Sequence, residues 1–172
     1  MDDFLVYIEK LELIAFFAAY ALVYLFIIIL ATELKLEKSN WIKKLPSLLP
    51  KSYGLVVLLY VGMKLNQYYP LLKNYSLNFN FTTPLFYLKC WAVIGLIFLF
   101  NFFKKKPKLA IFHSLVFLLI PVVDFVHFYF NQIGIEIVHN EMRMFFIGIL
   151  LHLVCIGIVA MYYYFHFKFL KK

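Results

Sequence analysis

Long apolar runs separated by short clusters of charge set the pattern of this 172-residue chain, and the runs have the length of membrane-spanning helices. Five helices are expected, over residues 11–32, 53–72, 84–103, 109–130 and 141–165. The first enters through Glu9 and Glu12 and carries Ala15, Ala18, Ala19 and Ala21, small residues that let another helix come close. Glu12 lies at the outer end, where it can reach water; a proton-carrying role is the alternative. Residues 34–52 interleave Trp41, Ile42, Leu45, Leu48 and Leu49 with lysines and are interrupted by Pro46 and Pro50. That pattern suits an amphipathic loop lying along the inner headgroups, or one that docks a partner there. In the second helix, Lys64, Asn66 and Gln67 interrupt the outer half. Lys64 must snorkel to the surface or find a partner, for which Asp124 is the candidate.

Pro84 fits the first turn of the third helix. The run Phe103-Lys104-Lys105-Lys106-Pro107-Lys108 makes a tight inner turn that sets the third and fourth helices antiparallel. In the fourth helix, His113, Phe117, Ile120, Asp124 and His127 follow the alternating four-and-three spacing of one helical stripe, with Pro121 expected to kink it. An outer turn over 131–140 holds Gly134, Glu136 and His139. In the fifth helix, Gly148 stands one turn before His152, where the missing side chain leaves room for a flat macrocycle.

Composition turns this pattern into a class. A chain that is 65% apolar and 21% aromatic cannot hide those side chains inside a water-soluble domain of this size, so an all-α, polytopic integral membrane protein is expected, with 1–172 as a single membrane domain. Met1-Asp2-Asp3 lacks the positive region of a secretory signal, so the first run is kept as a helix. The net charge of +8 does not point to nucleic acid, because of where the charges fall. Lys35, Lys38, Lys43, Lys44, Lys51, Lys104, Lys105, Lys106, Lys108, Lys168, Lys171 and Lys172 gather on one side of the expected topology, and Lys10, Lys64, Lys73, Lys89 and Arg143 on the other. This places the N-terminus out and the C-terminus in, with anionic lipid as the partner of the inner surface. The bacterial cytoplasmic membrane and the mitochondrial inner membrane both fit. Cys90 and Cys155 are isolated and read as inert thiols.

The candidate chemistry lies in the last two helices. His113 and His127 are fourteen residues apart, as are His152 and His166. Fourteen residues make close to four helical turns, roughly 21 Å at about 1.5 Å per residue, so each pair shares a face. If the two helices are antiparallel, the register that superimposes His127 on His152 also superimposes His113 on His166. Two facing imidazoles are what a bis-histidine haem requires. Lys108 would serve the propionates of an inner haem, and Arg143 or Lys64 those of an outer one.

In these four histidines the chain resembles the two-haem transmembrane b-type cytochromes, among them quinone-linked cytochrome b subunits and ferric-reductase-like oxidases. The resemblance implies haem b as cofactor, His113, His127, His152 and His166 as ligands, electron transfer across the bilayer, and exchange with quinone in a respiratory chain. It covers only the last third of the chain, and here the ligand helices are consecutive, with Phe117 and Ile120 between the histidines of the fourth. A single haem at the outer site is the reduced form of this expectation. Two other readings use the same end: a transition-metal site from Asp124, His127, Glu136, His139 and Glu141, and a proton or ion path through Lys64, Asp124 and His127. No HExxH motif, phosphate-binding loop or Ser-His-Asp pattern is present. The competing class is non-enzymatic: a small membrane subunit or assembly partner packed against other membrane subunits of a larger complex.

Overall fold

The computed structural model describes residues 2–33, 45–73, 84–100, 102–103 and 106–170. Every regular element among them is a helix: α1 (Asp2–Leu13), a π-helical turn (Ile14–Ala18), α2 (Tyr20–Glu33), α3 (Leu45–Lys73), α4 (Pro84–Ile94), a 3-10 turn (Gly95–Leu99), α5 (Pro107–Tyr129) and α6 (Ile135–Leu170). Four stretches are long and apolar enough to cross a membrane: Phe4–Leu30, Leu48–Pro70, Pro107–Tyr129 and Ile135–His166. The shortest of these, 23 residues, reaches about 35 Å as a helix, more than the roughly 30 Å of a bilayer's hydrocarbon core. Large apolar side chains cover the outside, Phe26, Phe112, Leu119, Phe146, Leu150 and Met161 among them, as in a chain whose solvent is hydrocarbon.

The boundaries depart from the sequence reading in four places. The first helix starts at Asp2, so Glu9, Lys10 and Glu12 lie within it. The third expected helix, 84–103, stops being α-helical at Ile94, tightens into the 3-10 turn and becomes extended at Phe100, leaving Pro84–Leu99 as a shorter apolar leg. Its packing accounts for the break. A Cβ on Gly95 would stand 2.8 Å from Val57, and one on Gly54 would stand 2.9 Å from the backbone of Leu99, so this leg is pressed against α3 at glycine-only distances. The expected surface loop 34–52 is already helical from Leu45, with Leu48, Leu49 and Ser52 in the core rather than against headgroups. Pro50 forgoes one ladder hydrogen bond there, and the Ser52 hydroxyl donates to the Leu49 carbonyl at 2.7 Å. The rest of that loop, with Trp41 and Ile42, lies outside the described residues, as do Lys104, Lys105, Lys171 and Lys172. Finally, α6 begins at Ile135, so Glu136 and His139 belong to its first turns.

α5 ends at Tyr129; two residues on, Asn131 has a φ of 57°, in the left-handed region that asparagine tolerates, and the chain turns back into α6. The five legs alternate in direction. One end of the bundle collects the start of α1, the end of α3, the start of α4, the end of α5 and the start of α6. The core is aromatic: Phe17 stacks on Phe117 at 4.6 Å, Tyr20 leans on Tyr53 at 4.3 Å, and Phe17 meets Tyr60 edge-on at 5.0 Å.

The π turn sits at the crossing of the first leg with α5 and α6. A π turn carries one residue more than an α turn and leaves backbone groups without their usual partners. The Ser114 hydroxyl of α5 fills that gap, donating to the Phe17 carbonyl at 2.7 Å and accepting from the Ala21 N–H at 3.2 Å. On the other side Gly148 of α6 meets the Ala15 carbonyl, where a Cβ would be only 2.6 Å from the oxygen.

Candidate functional site

Two polar groupings lie inside the helices, an aromatic–histidine centre and an ionic end. The centre is built on Tyr53 of α3, which is fully buried and has both His113 and His152 as ring neighbours, at 5.6 and 5.9 Å between centroids. His113 lies flat on Trp91 of α4 (5.1 Å, 15°). Its Nε2 is 2.7 Å from the Trp91 carbonyl, an oxygen that only accepts, so Nε2 carries the proton and donates. Nδ1 then accepts from the Tyr53 hydroxyl at 2.6 Å. The Trp91 indole N–H returns a bond of 3.3 Å to the His113 carbonyl, closing a reciprocal clasp between α4 and α5. His152, 1% exposed, sits between Tyr20 (5.6 Å) and Tyr53. The Phe16 carbonyl of the π turn lies beside its ring, yet neither ring nitrogen reaches hydrogen-bonding geometry with any described residue.

The other two histidines face outward. His127 is exposed and hydrogen-bonded to the Gln132 side chain in the turn after α5. His166 is exposed near the end of α6, with Tyr162 as a ring neighbour at 5.9 Å. The expected facing pairs, His113 with His166 and His127 with His152, are therefore not formed, and on α5 the reason is helical drift. A straight α-helix lags a seven-residue repeat by about 20° per heptad, and fourteen residues span two heptads. The inward stripe of α5 leaves His113 through Phe117 and Asp124 and arrives at Phe128, leaving His127 outside. On α6, His152, Cys155, Val159 and Tyr163 are buried or partly buried, while His166 stands in the final turns, where Tyr164 and Phe165 are exposed as well.

Haem does not fit this arrangement. Both nitrogens of His113 are engaged, Tyr53 occupies the space between His113 and His152, and Gly148 faces the Ala15 carbonyl instead of a macrocycle. Lys108 and Arg143, considered above for the propionates, are exposed. Among the described residues no three His, Cys, Asp or Glu side chains are grouped to hold a metal ion, so the set Asp124, His127, Glu136, His139 and Glu141 is not assembled.

The ionic end is organised by α1. Glu9 pairs with Lys89 of α4 at 2.6 Å and accepts from the Tyr68 hydroxyl of α3 at 3.2 Å. Lys10 pairs with Asp124 of α5 and, at 2.8 Å, with Glu141 of α6. Glu12 pairs with Lys64 of α3 and accepts from the Gln67 amide at 3.1 Å, while Lys64 also donates to Gln67 at 3.0 Å. Lys64 therefore meets Glu12, not Asp124. Three charged residues within one helical turn thus reach four other helices. Sequence reasoning placed Glu9, Lys10 and Glu141 at the water edge and missed this role. The available signal was the complementarity itself: three lysines and four acids near the same ends of five apolar runs.

Compared with known proteins, the chain matches no protein-family model, no curated protein and no solved structure.

Proposed function

We propose that the protein is a non-enzymatic integral membrane subunit that packs within a larger membrane complex. What carries this reading is how the chemically capable side chains are engaged: His113, Lys10, Lys64, Asp124 and Glu141 each join one helix to another. The chain then meets its surroundings through its apolar outer faces. Those of α5 and α6 are the most open, with 22% and 17% of their most apolar stretches buried, against 50% and 56% in the legs of α1–α2 and α3. By the positive-inside rule the end carrying Lys51, Lys106 and Lys108 faces the cytoplasm or matrix, and the ionic end faces out. Such a subunit suits a bacterial cytoplasmic or mitochondrial inner membrane. A haem-bearing, quinone-linked cytochrome is the reading it replaces.

The test has two parts. Full-length protein expressed with ample haem is expected to be colourless in a reduced-minus-oxidised spectrum. Extracted gently from its native membrane, it is expected in a particle well above the 20.5 kDa of one chain, and in a smaller one when expressed alone. A b-type absorption that disappears on replacing His127 or His152 would overturn the proposal, as would one small particle from both sources.

A further inference from the structure

We infer that Asp124 and Glu141 together form a proton-binding site inside the bundle, at the junction of α1, α5 and α6. Three observations lead there. The first is the charge count of the ionic end: among the described residues, the carboxyl groups of Glu9, Glu12, Asp124 and Glu141 pair with the ammonium groups of Lys10, Lys64 and Lys89, four against three. Lys64 and Lys89 are taken by Glu12 and Glu9, so the shortfall falls on the two acids that share Lys10. The second is burial. Glu141 is 1% exposed, and although its Oε1 lies 2.8 Å from Lys10, its Oε2 meets no hydrogen-bond donor among the described residues. A lone carboxylate oxygen without a donor is costly in such a place. The third is the position of the two acids. Both carboxyl groups lie against the one Lys10 ammonium, so two like charges are held close to a single cation.

One proton answers all three at once. It cancels the surplus charge, spares the Glu141 oxygen a charge that no donor meets, and removes the repulsion between two acids that share one lysine. The groups facing the pair among the described residues are these. α1 contributes Lys10, flanked by Glu9 and Glu12; α3 contributes Lys64 and Tyr68, both held by those glutamates; α4 contributes Lys89, held by Glu9; and α5 adds His127, exposed and bonded to Gln132. On α6, Glu136, His139 and Arg143 are exposed. Asp124 is partly exposed, so water at this end of the bundle is the source of the proton. The inference stands whether or not the chain has partner subunits.

Infrared spectroscopy of the full-length protein in lipid vesicles, recorded across a pH series, tests it. A protonated-carboxyl band is expected that shifts in deuterium oxide, vanishes as the pH is raised, is lost in both Glu141→Gln and Asp124→Asn, and persists in Glu12→Gln. Where a neutral variant fails to fold, Glu141→Asp and Asp124→Glu keep the carboxyls and are expected to move the band and its pH midpoint. The absence of such a band in the folded wild type, a band unmoved by changes at 124 and 141, or one removed by Glu12→Gln alone would each overturn the inference.

Discussion

His113 and His152 touch the same tyrosine ring from two helices, yet their polar atoms are used differently. His113 has a donor and an acceptor satisfied, by the Trp91 carbonyl and the Tyr53 hydroxyl. His113→Leu strands both partners in a buried site, which costs about 1–3 kcal/mol for each group left unpaired. His152 makes no such bond, so His152→Leu, close in volume, is expected to fall within about 1 kcal/mol of wild type or to exceed it, because a polar ring is exchanged for an apolar chain. Unfolding followed by tryptophan fluorescence in detergent separates the two variants; equal losses would show that His152 has a polar partner after all. The inward stripe through His113, Phe117 and Asp124 was legible in the sequence because spacing on one helix reports which side chains share a face. That His113 belongs to Trp91 and not to His166 was not legible. The clasp joins residues from separate helices, and nothing in the local period of either helix records it.

Among the elements, the crossing of α6 over the π turn depends on a residue with no side chain. Gly148→Ala would place a carbon 2.6 Å from the Ala15 carbonyl oxygen, and because the obstacle is backbone, the helices must move apart; overpacking of this kind costs about 1–3 kcal/mol. Gly157, two and a half turns further along α6, has nothing within 4 Å of the same position, so Gly157→Ala is expected to be neutral or slightly stabilising. Comparing the unfolding midpoints of the two variants checks the contrast. The existence and order of the helices followed from apolar length, and Gly148 stood out in the sequence as a place of close approach. What approaches it was not readable, since a macrocycle and a backbone carbonyl make the same demand for an absent Cβ. The π turn and the 3-10 end of the α4 leg escaped for a related reason. Both arise from contacts with distant helices, at Ser114 for the first and at Gly54 and Val57 for the second, while their own sequences remain uniformly apolar.

At the scale of the whole molecule, the ionic end makes the five legs depend on one another. Three α1 residues bind α3, α4, α5 and α6, so a change at one of them is felt across the bundle. Hydropathy reading sent Glu9, Lys10 and Glu141 outward to water one at a time, because a single run offers a charge no other exit. Seen together, the paired charges of this end neutralise one another apart from one negative charge. Lys10→Met removes the cation that Asp124 and Glu141 share and leaves a buried and a partly exposed acid near each other without it, a loss of up to about 3–5 kcal/mol for breaking such a cluster. Adding Asp124→Asn and Glu141→Gln to Lys10→Met takes the charge away while keeping the shapes, and is expected to restore most of that stability. If the triple variant unfolds as readily as Lys10→Met alone, the lysine stem supports the junction by packing and its charge is secondary. If it recovers, charge balance is what holds α1 against α5 and α6.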